Sequence, residues 1–286
     1  MKKILIQIDP DPHASVFDSV VAIDSGVDHL LSHGSVLPDQ VQSLVHGGIF
    51  TRGPKDLHNT AVFVGGSNVS AGEALLREVV KSFFGPMQLS VMLDANGCNT
   101  TAAAAVLRAG AHIDLSSVNA LVLGGTGPVG QRVGLLLAKE GASVRIGSRS
   151  KERADSVCSA IVERVESGSL IGVAAGTTDE VKTAINGCEI VVSAGAAGVE
   201  LLPEEIWSSA GALKVAIDLN AVPPEGIGGI SAFAKEEEKY GVICYGAVGV
   251  GGTKMKIHKA AIAALFESND KVLDAVAIYE LGQSLE

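Results

Sequence analysis

The sequence predicts an α/β protein of two domains, the second built on a doubly wound parallel sheet, and three observations carry that prediction. Apolar, β-branched runs alternate with helix-period patterns along most of the chain, as in stacked βαβ units. Glycine stands at 34 of 286 residues while aromatic residues make up 4%, with no Gly-X-Y repeat, so the glycines serve the backbone and no fibrous structure is built. A hydrophobic content of 47% over 286 residues supports a sizeable core, enough for one large domain or two ordinary ones.

In the first third, strands are expected at 3–8, 60–64 and 89–93. Between the last two, residues 70–83 place Ala71, Ala74, Leu75, Glu78 and Val79 at helical spacing, with Ser70 as the N-cap. Residues 99–108 form an alanine-rich helix, and 10–52 read as loop apart from a helix at 39–45. A second series follows, with strands at 119–123, 143–147, 171–174, 189–193, 214–218 and 242–245 and helices between them. Two helical segments, 254–267 and from 270 to the C-terminus, close the chain. Helices after such a series commonly pack back on a preceding domain, so a cleft crossed twice by the chain is expected. The domains are then 1–116 with 254–286, and 117–253.

A net charge of −10 makes the surface as a whole a poor partner for polyanions, and the scarcity of rings disfavours base stacking, so no nucleic-acid partner is expected. Cys98, Cys158, Cys188 and Cys244 lack the spacing of a zinc site or the density of a disulfide framework, and they read as reduced, buried thiols of a cytoplasmic protein. The seven histidines are likewise scattered, His29 and His33 lying one helical turn apart without a third ligand, so no metal site is expected. The opening apolar run ends at Asp9 and Pro10, which suits a strand better than a signal peptide. No stretch reaches the ~18 apolar residues of a membrane span.

The chemistry-bearing motif lies after the strand at 119–123, where Gly125, Thr126, Gly127, Pro128, Val129 and Gly130 hold a G-x-G-x-x-G frame between a strand and a helix. In that context the frame binds a dinucleotide: Gly125 permits the turn, Gly127 admits the pyrophosphate, Gly130 lets helix and strand touch, and the helix N-terminus offers N–H groups to phosphate. The domain is therefore expected to be a Rossmann fold. The next strand ends Val-Arg-Ile-Gly-Ser-Arg-Ser-Lys (144–151) without the carboxylate that holds an NAD ribose. Ser148, Arg149 and Arg153 suit a 2′-phosphate instead, so NADP is expected, with NAD possible. Ser193, Ala194 and Gly195, and then Asp218 and Asn220, end later strands where such sheets bind ligands, although Asp218 equally suits a turn or cap.

Several segments together resemble a known family: Ser-Val-Phe-Asp (15–18), Thr-Arg-Gly (51–53), Phe-Val-Gly-Gly (63–66), Phe-Phe-Gly-Pro (83–86), Met-Leu-Asp-Ala-Asn-Gly-Cys-Asn-Thr-Thr-Ala-Ala-Ala (92–104), the glycine frame, and Gly-Gly-Thr-Lys-Met-Lys-Ile-His (251–258). The chain is similar, over nearly its whole length, to the NAD(P)-dependent methylene-tetrahydromethanopterin dehydrogenases of one-carbon-oxidising bacteria. The resemblance implies reversible hydride transfer from methylene-tetrahydromethanopterin to NADP or NAD in formaldehyde oxidation, with methylene-tetrahydrofolate a further carrier for some members, and a homo-oligomer, trimeric or hexameric. It makes Lys256 and Asp18 the candidate catalytic residues, with Lys256 just after a glycine run near a helix start. Asp94, Asn96 and Thr100 are then substrate-binding candidates, though Asp94 and Asn96 also suit helix caps. No lysine constellation of the related cyclohydrolases is found, so dehydrogenase activity alone is expected. A shikimate-type dehydrogenase and a non-catalytic NADP sensor are the competing readings.

Overall fold

The computed structural model describes residues 1–165 and 168–285. In chain order the elements are β1 (Ile4–Ile8), α1 (Val16–Asp24), β2 (His29–His33), α2 (Val41–Ile49), β3 (Thr60–Val64), α3 (Val69–Lys81), β4 (Ser90–Leu93) and α4 (Cys98–Gly110). There follow β5 (Asn119–Leu123), α5 (Pro128–Lys139), β6 (Ser143–Ser148), α6 (Lys151–Val162), β7 (Ser169–Ala174), α7 (Thr178–Ile185), β8 (Ile190–Ser193), α8 (Glu204–Trp207) and β9 (Val215–Asp218). The chain closes with β10 (Glu237–Lys239), β11 (Val242–Tyr245), α9 (Ala247–Ala264), β12 (Val272–Leu273) and α10 (Ala275–Gln283). These elements form two compact units, Met1–Thr100 with Met255–Glu286, and Thr101–Lys254, so the divisions fall inside α4 and α9. No helix of the described residues is long and apolar enough to cross a membrane.

The first unit holds a five-stranded sheet in the order β12-β4-β3-β1-β2, all parallel. Counting β12 as the fifth strand, this is the doubly wound order 2-1-3-4-5, completed by a segment that returns from the chain's end. Every residue of β3 and β4 is buried, as expected of central parallel strands covered on both faces. β2, by contrast, is a largely exposed edge strand, and its His-Leu-Leu-Ser-His sequence explains why residues 10–52 read as loop. His29 and His33 therefore share one face of a strand and not of a helix. α1, also unforeseen, starts at Ser15, whose hydroxyl accepts from the Asp18 N–H at 3.3 Å. The expected cap Ser70 lies inside α3, which is capped by Asn68 accepting from the Ala71 N–H.

The second unit holds seven strands in the order β10-β11-β9-β8-β5-β6-β7. β10 runs antiparallel at one edge and the other six are parallel, in the Rossmann order 3-2-1-4-5-6 counted from β5. One face packs Leu121, Val191 and Ala216 against Leu202, Ile206 and Trp207. Trp207 is fully buried, and its indole N–H donates to the Gly228 carbonyl at 2.9 Å, so burial leaves no unpaired donor. All four cysteines are buried thiols outside any disulfide, and burial raises the Cys244 thiol to about 11, which leaves it protonated and unreactive.

Two expectations about the C-terminal region are corrected. The helix expected from Lys254 begins at Ala247, taking in the glycine run, because the first turn of α9 passes so close to the 231–234 loop that a side chain at Gly249 would strike the Ala234 carbonyl. Lys256 consequently stands in the third turn of an 18-residue helix. The helix expected from Asp270 begins only at Ala275, since Val272 and Leu273 pair with Val91 and Met92 of β4.

Candidate active site

In the second unit the turn after β5 is built from backbone. Gly124, outside the expected frame, takes the left-handed conformation (φ 64°), and a Cβ there would lie 2.7 Å from both the Gly195 Cα and N. A Cβ at Gly125 would lie 2.8 Å from the Ile146 Cγ2 and the Val122 carbonyl oxygen. At Gly130 it would lie 2.7 Å from the Gly124 carbonyl oxygen and the Gly125 Cα, so helix and turn touch only because residue 130 is glycine. The loop closes through Gly127 N–H to the Gly124 carbonyl at 3.0 Å and the Gln131 side-chain amide to the Thr126 carbonyl at 2.8 Å. α5 then opens with Gly127 at the cap, Pro128 in its first turn and no side-chain cap bond, leaving the N-terminal dipole of the Val129–Gly130 turn for an anion. This turn lies between β5 and β8, where the strand order reverses. The cradle fits a dinucleotide's pyrophosphate.

The end of β6 presents cations and hydroxyls. Ser148 accepts from the Ser150 N–H, Ser150 caps α6 by accepting from the Arg153 N–H, and Lys151 pairs with Asp155 at 2.7 Å. Among the described residues, Arg149 and Arg153 are exposed and carry no ion pair. The first acid after β6, Glu152, accepts from the Ser150 hydroxyl at 2.8 Å.

Ser193 ends β8 fully buried, and Ala194 and Gly195 follow, half-buried, with the Ala194 N–H bound to the Leu123 carbonyl. Beside Ser193 in the sheet, Asp218 is 1% exposed, and its carboxylate accepts from the Asn220 and Ile227 N–H groups at 3.1 and 3.0 Å. Burial raises its pKa above the usual value even though these donors pull the other way. The Asn220 amide donates to the Pro224 carbonyl and accepts from the Val222 N–H. Both side chains thus hold the 219–227 loop.

In the first unit, the ends of β1 and β3 gather ionisable side chains. Asp9 is 1% exposed and accepts from the Asp11 and Ser15 N–H groups at 2.8 and 3.2 Å, while burial raises its pKa. Gly65 follows β3, and a Cβ on it would lie 3.2 Å from the Asp9 Oδ2 and 3.7 Å from the Asp18 Oδ2. Asp18, in the first turn of α1, places Oδ1 3.8 Å from the Nε2 of His258, a fully buried histidine of α9.

The other candidates divide by geometry. Asp94 is buried at the end of β4 and accepts from the Asn99 N–H at 2.9 Å, the Thr100 N–H at 3.0 Å and the Thr100 hydroxyl at 2.6 Å. Asp94 and buried Thr100 therefore fasten the start of α4. Asn96 is exposed in the left-handed conformation (φ 52°), and its N–H donates to the Gly66 carbonyl at 2.6 Å. Lys256 is exposed on α9. Asp9, Gly65, Gly124 and His258 were not singled out as site residues from the sequence. The signals available were an acid directly following a strand, a Gly-Gly pair after a strand apolar but for its first residue, and a second glycine beside the frame.

A family model described as methylene-tetrahydromethanopterin dehydrogenase, N-terminal, matches residues 16–96, the span that includes Asp18, Gly65, Asp94 and Asn96. The bifunctional protein MdtA of Methylorubrum extorquens is 44% identical over 288 residues, covering 99% of this chain and 99% of the relative. The NAD(P)-dependent methylenetetrahydromethanopterin dehydrogenase of the same organism is 33% identical over 98% of this chain and 97% of its own length. The chain belongs to the methylene-tetrahydromethanopterin dehydrogenase family. Members of that family need not resemble other dehydrogenases in sequence to share their architecture. The shikimate 5-dehydrogenase of Listeria monocytogenes matches with a TM-score of 0.57 over 98% of this chain and 96% of its own, at 13% identity. That likeness is one of fold and leaves the shikimate-type reading without support of its own.

Proposed function

We propose that this chain catalyses reversible hydride transfer from methylene-tetrahydromethanopterin to a nicotinamide dinucleotide, giving the methenyl form. Identity of 33% to a relative of that name, over nearly the full length of both chains, carries the reading, and the glycine cradle agrees with it. NADP is the preferred acceptor: no carboxylate precedes Glu152 at the end of β6, Glu152 is engaged by Ser150, and Arg149 and Arg153 stand exposed for a 2′-phosphate. Methylene-tetrahydrofolate is a second carrier.

The dinucleotide, when bound, supplies the hydride acceptor. The reacting carbon lies between two nitrogens, so its C–H bond breaks with both electrons leaving, and the resulting cation is spread over the nitrogens with no proton released. The protein then needs to position the reactants more than to act as acid or base. Gly124 to Gly130 and the α5 N-terminus hold the pyrophosphate, while Asp218 and Asn220, by fixing the 219–227 loop, shape the nicotinamide pocket beside Ser193, Ala194 and Gly195. Asp18 and Lys256 engage the carrier, with Asn96 at its edge and the Asp94–Thr100 pair keeping α4 in place.

A steady-state comparison of both carriers with both dinucleotides, read at the reduced-nicotinamide band, tests the reading. Turnover is expected with the methanopterin carrier, with higher kcat/KM for NADP. Dinucleotide binding without turnover on any pterin, folate or hydroxy acid would instead favour a sensor.

A further inference from the structure

The strongest unused cluster surrounds His258. Its imidazole is 1% exposed and stacks on Phe63 of β3, with ring centroids 5.8 Å apart and planes 18° apart, and Phe17 lies 6.2 Å away. The stack holds the plane of the ring, and within that plane Nε2 lies 3.8 Å from the Asp18 Oδ1. That separation is within ion-pair range and longer than a hydrogen bond, so Nε2 abuts the carboxylate and limits the orientations open to it. The Asp18 side chain is 13% exposed, and its second oxygen lies toward Gly65, 3.7 Å from where a Cβ would stand, so the absent side chain is what lets the carboxylate and Phe63 close in there.

We propose that His258 is a positioning residue, which holds the Asp18 carboxylate in the orientation that accepts hydrogen bonds from the N–H groups of the pterin carrier. The proposal rests on the carrier-binding role given to Asp18 above. Tertiary contact alone creates the pair, since 240 residues separate its members in the chain.

A double-mutant cycle in the full chain tests it. His258→Leu is expected to raise KM for the methylene carrier about tenfold while KM for NADP and kcat stay within about twofold. His258→Gln, which keeps an N–H donor near the Nε2 position, is expected to recover most of the loss, and His258→Asn, whose amide falls at Nδ1, is not. In an Asp18→Asn background, His258→Leu is expected to add less than about twofold. Full additivity, equal Gln and Asn variants, or a matching loss in NADP binding overturns the proposal. If Asp18→Asn alone leaves carrier KM unchanged, the carrier-binding role of Asp18 fails with it, an outcome distinct from additivity. Should His258→Leu not fold, the Gln and Asn variants carry the same cycle.

Discussion

Two doubly wound sheets in one chain make their ligand-facing ends in opposite ways. At the β5–β8 reversal the second unit uses backbone: four glycines, three of them with no space for a Cβ, and a helix N-terminus. At the corresponding β1–β3 reversal the first unit uses side chains: Asp9 and Asp18 beside Gly65, with His258 facing Asp18. Under the proposed function, the difference matches what each end would recognise. A pyrophosphate is the same anion in every dinucleotide and is met by N–H groups and a dipole, whereas a heterocycle's donors and acceptors call for carboxylates at fixed positions. On that reading the first kind of site is expected to fail on added volume and the second on altered charge.

The largest expected effect follows from volume. Gly130→Val forces the start of α5 away from the Gly124 turn, and kcat/KM is expected to fall at least ~100-fold, because a shift of about 1 Å in a positioning element costs that much. An intact thermal transition alongside lost dinucleotide binding, read by calorimetry, would place the damage at the cradle. Next come the charge changes in the first unit. Lys256→Met is expected to raise carrier KM by about tenfold or more with NADP affinity nearly unchanged, and unchanged turnover would remove Lys256 from the site.

Arg149→Ala sharpens the comparison within the second unit, where backbone binds the shared pyrophosphate and a side chain reads the variable phosphate. KM for NADP is expected to rise about tenfold, the scale of one charge-assisted bond, with KM for NAD unchanged. Equal effects on both dinucleotides would refute Arg149 as the selector.

The smallest effect concerns pH. The folded pKa of Asp218 is raised by burial, so between the unfolded value and the folded one the native state holds a proton that the unfolded chain lacks. Stability from this group is complete below the unfolded pKa and declines as pH rises toward the folded pKa. Asp218→Asn is expected to flatten that part of a urea-denaturation stability curve while lowering stability overall, since a carboxamide cannot accept on both sides from Asn220 and Ile227.

The six parallel strands of the second unit were legible because they are mostly apolar runs punctuated by glycine turns, and the G-x-G-x-x-G frame marked the first strand-to-helix turn, whereas the edge strand β10, Glu-Glu-Lys, gave no such signal. Gly124 escaped notice because a frame names spacing, while the positive φ arises from the strand's exit and the nearness of Gly195. In the first unit β2 was hidden by exposure, an edge strand with two histidines and no β-branched residue. The start of α9 was hidden by low helix propensity, where contact with the Ala234 carbonyl excludes a larger residue at 249. β12 is two residues long and owes its strand character to β4. His258 and Asp18 share no local signal, and only the folded sheet brings them together.

The most direct test of the central claim, hydride passing straight from carrier to dinucleotide on a protein that positions and does not protonate, uses a methylene carrier deuterated at the bridge carbon. The account predicts that NADP reduction leaves one deuterium on the nicotinamide ring for each turnover and none in the water. Deuterium appearing in the solvent would contradict it.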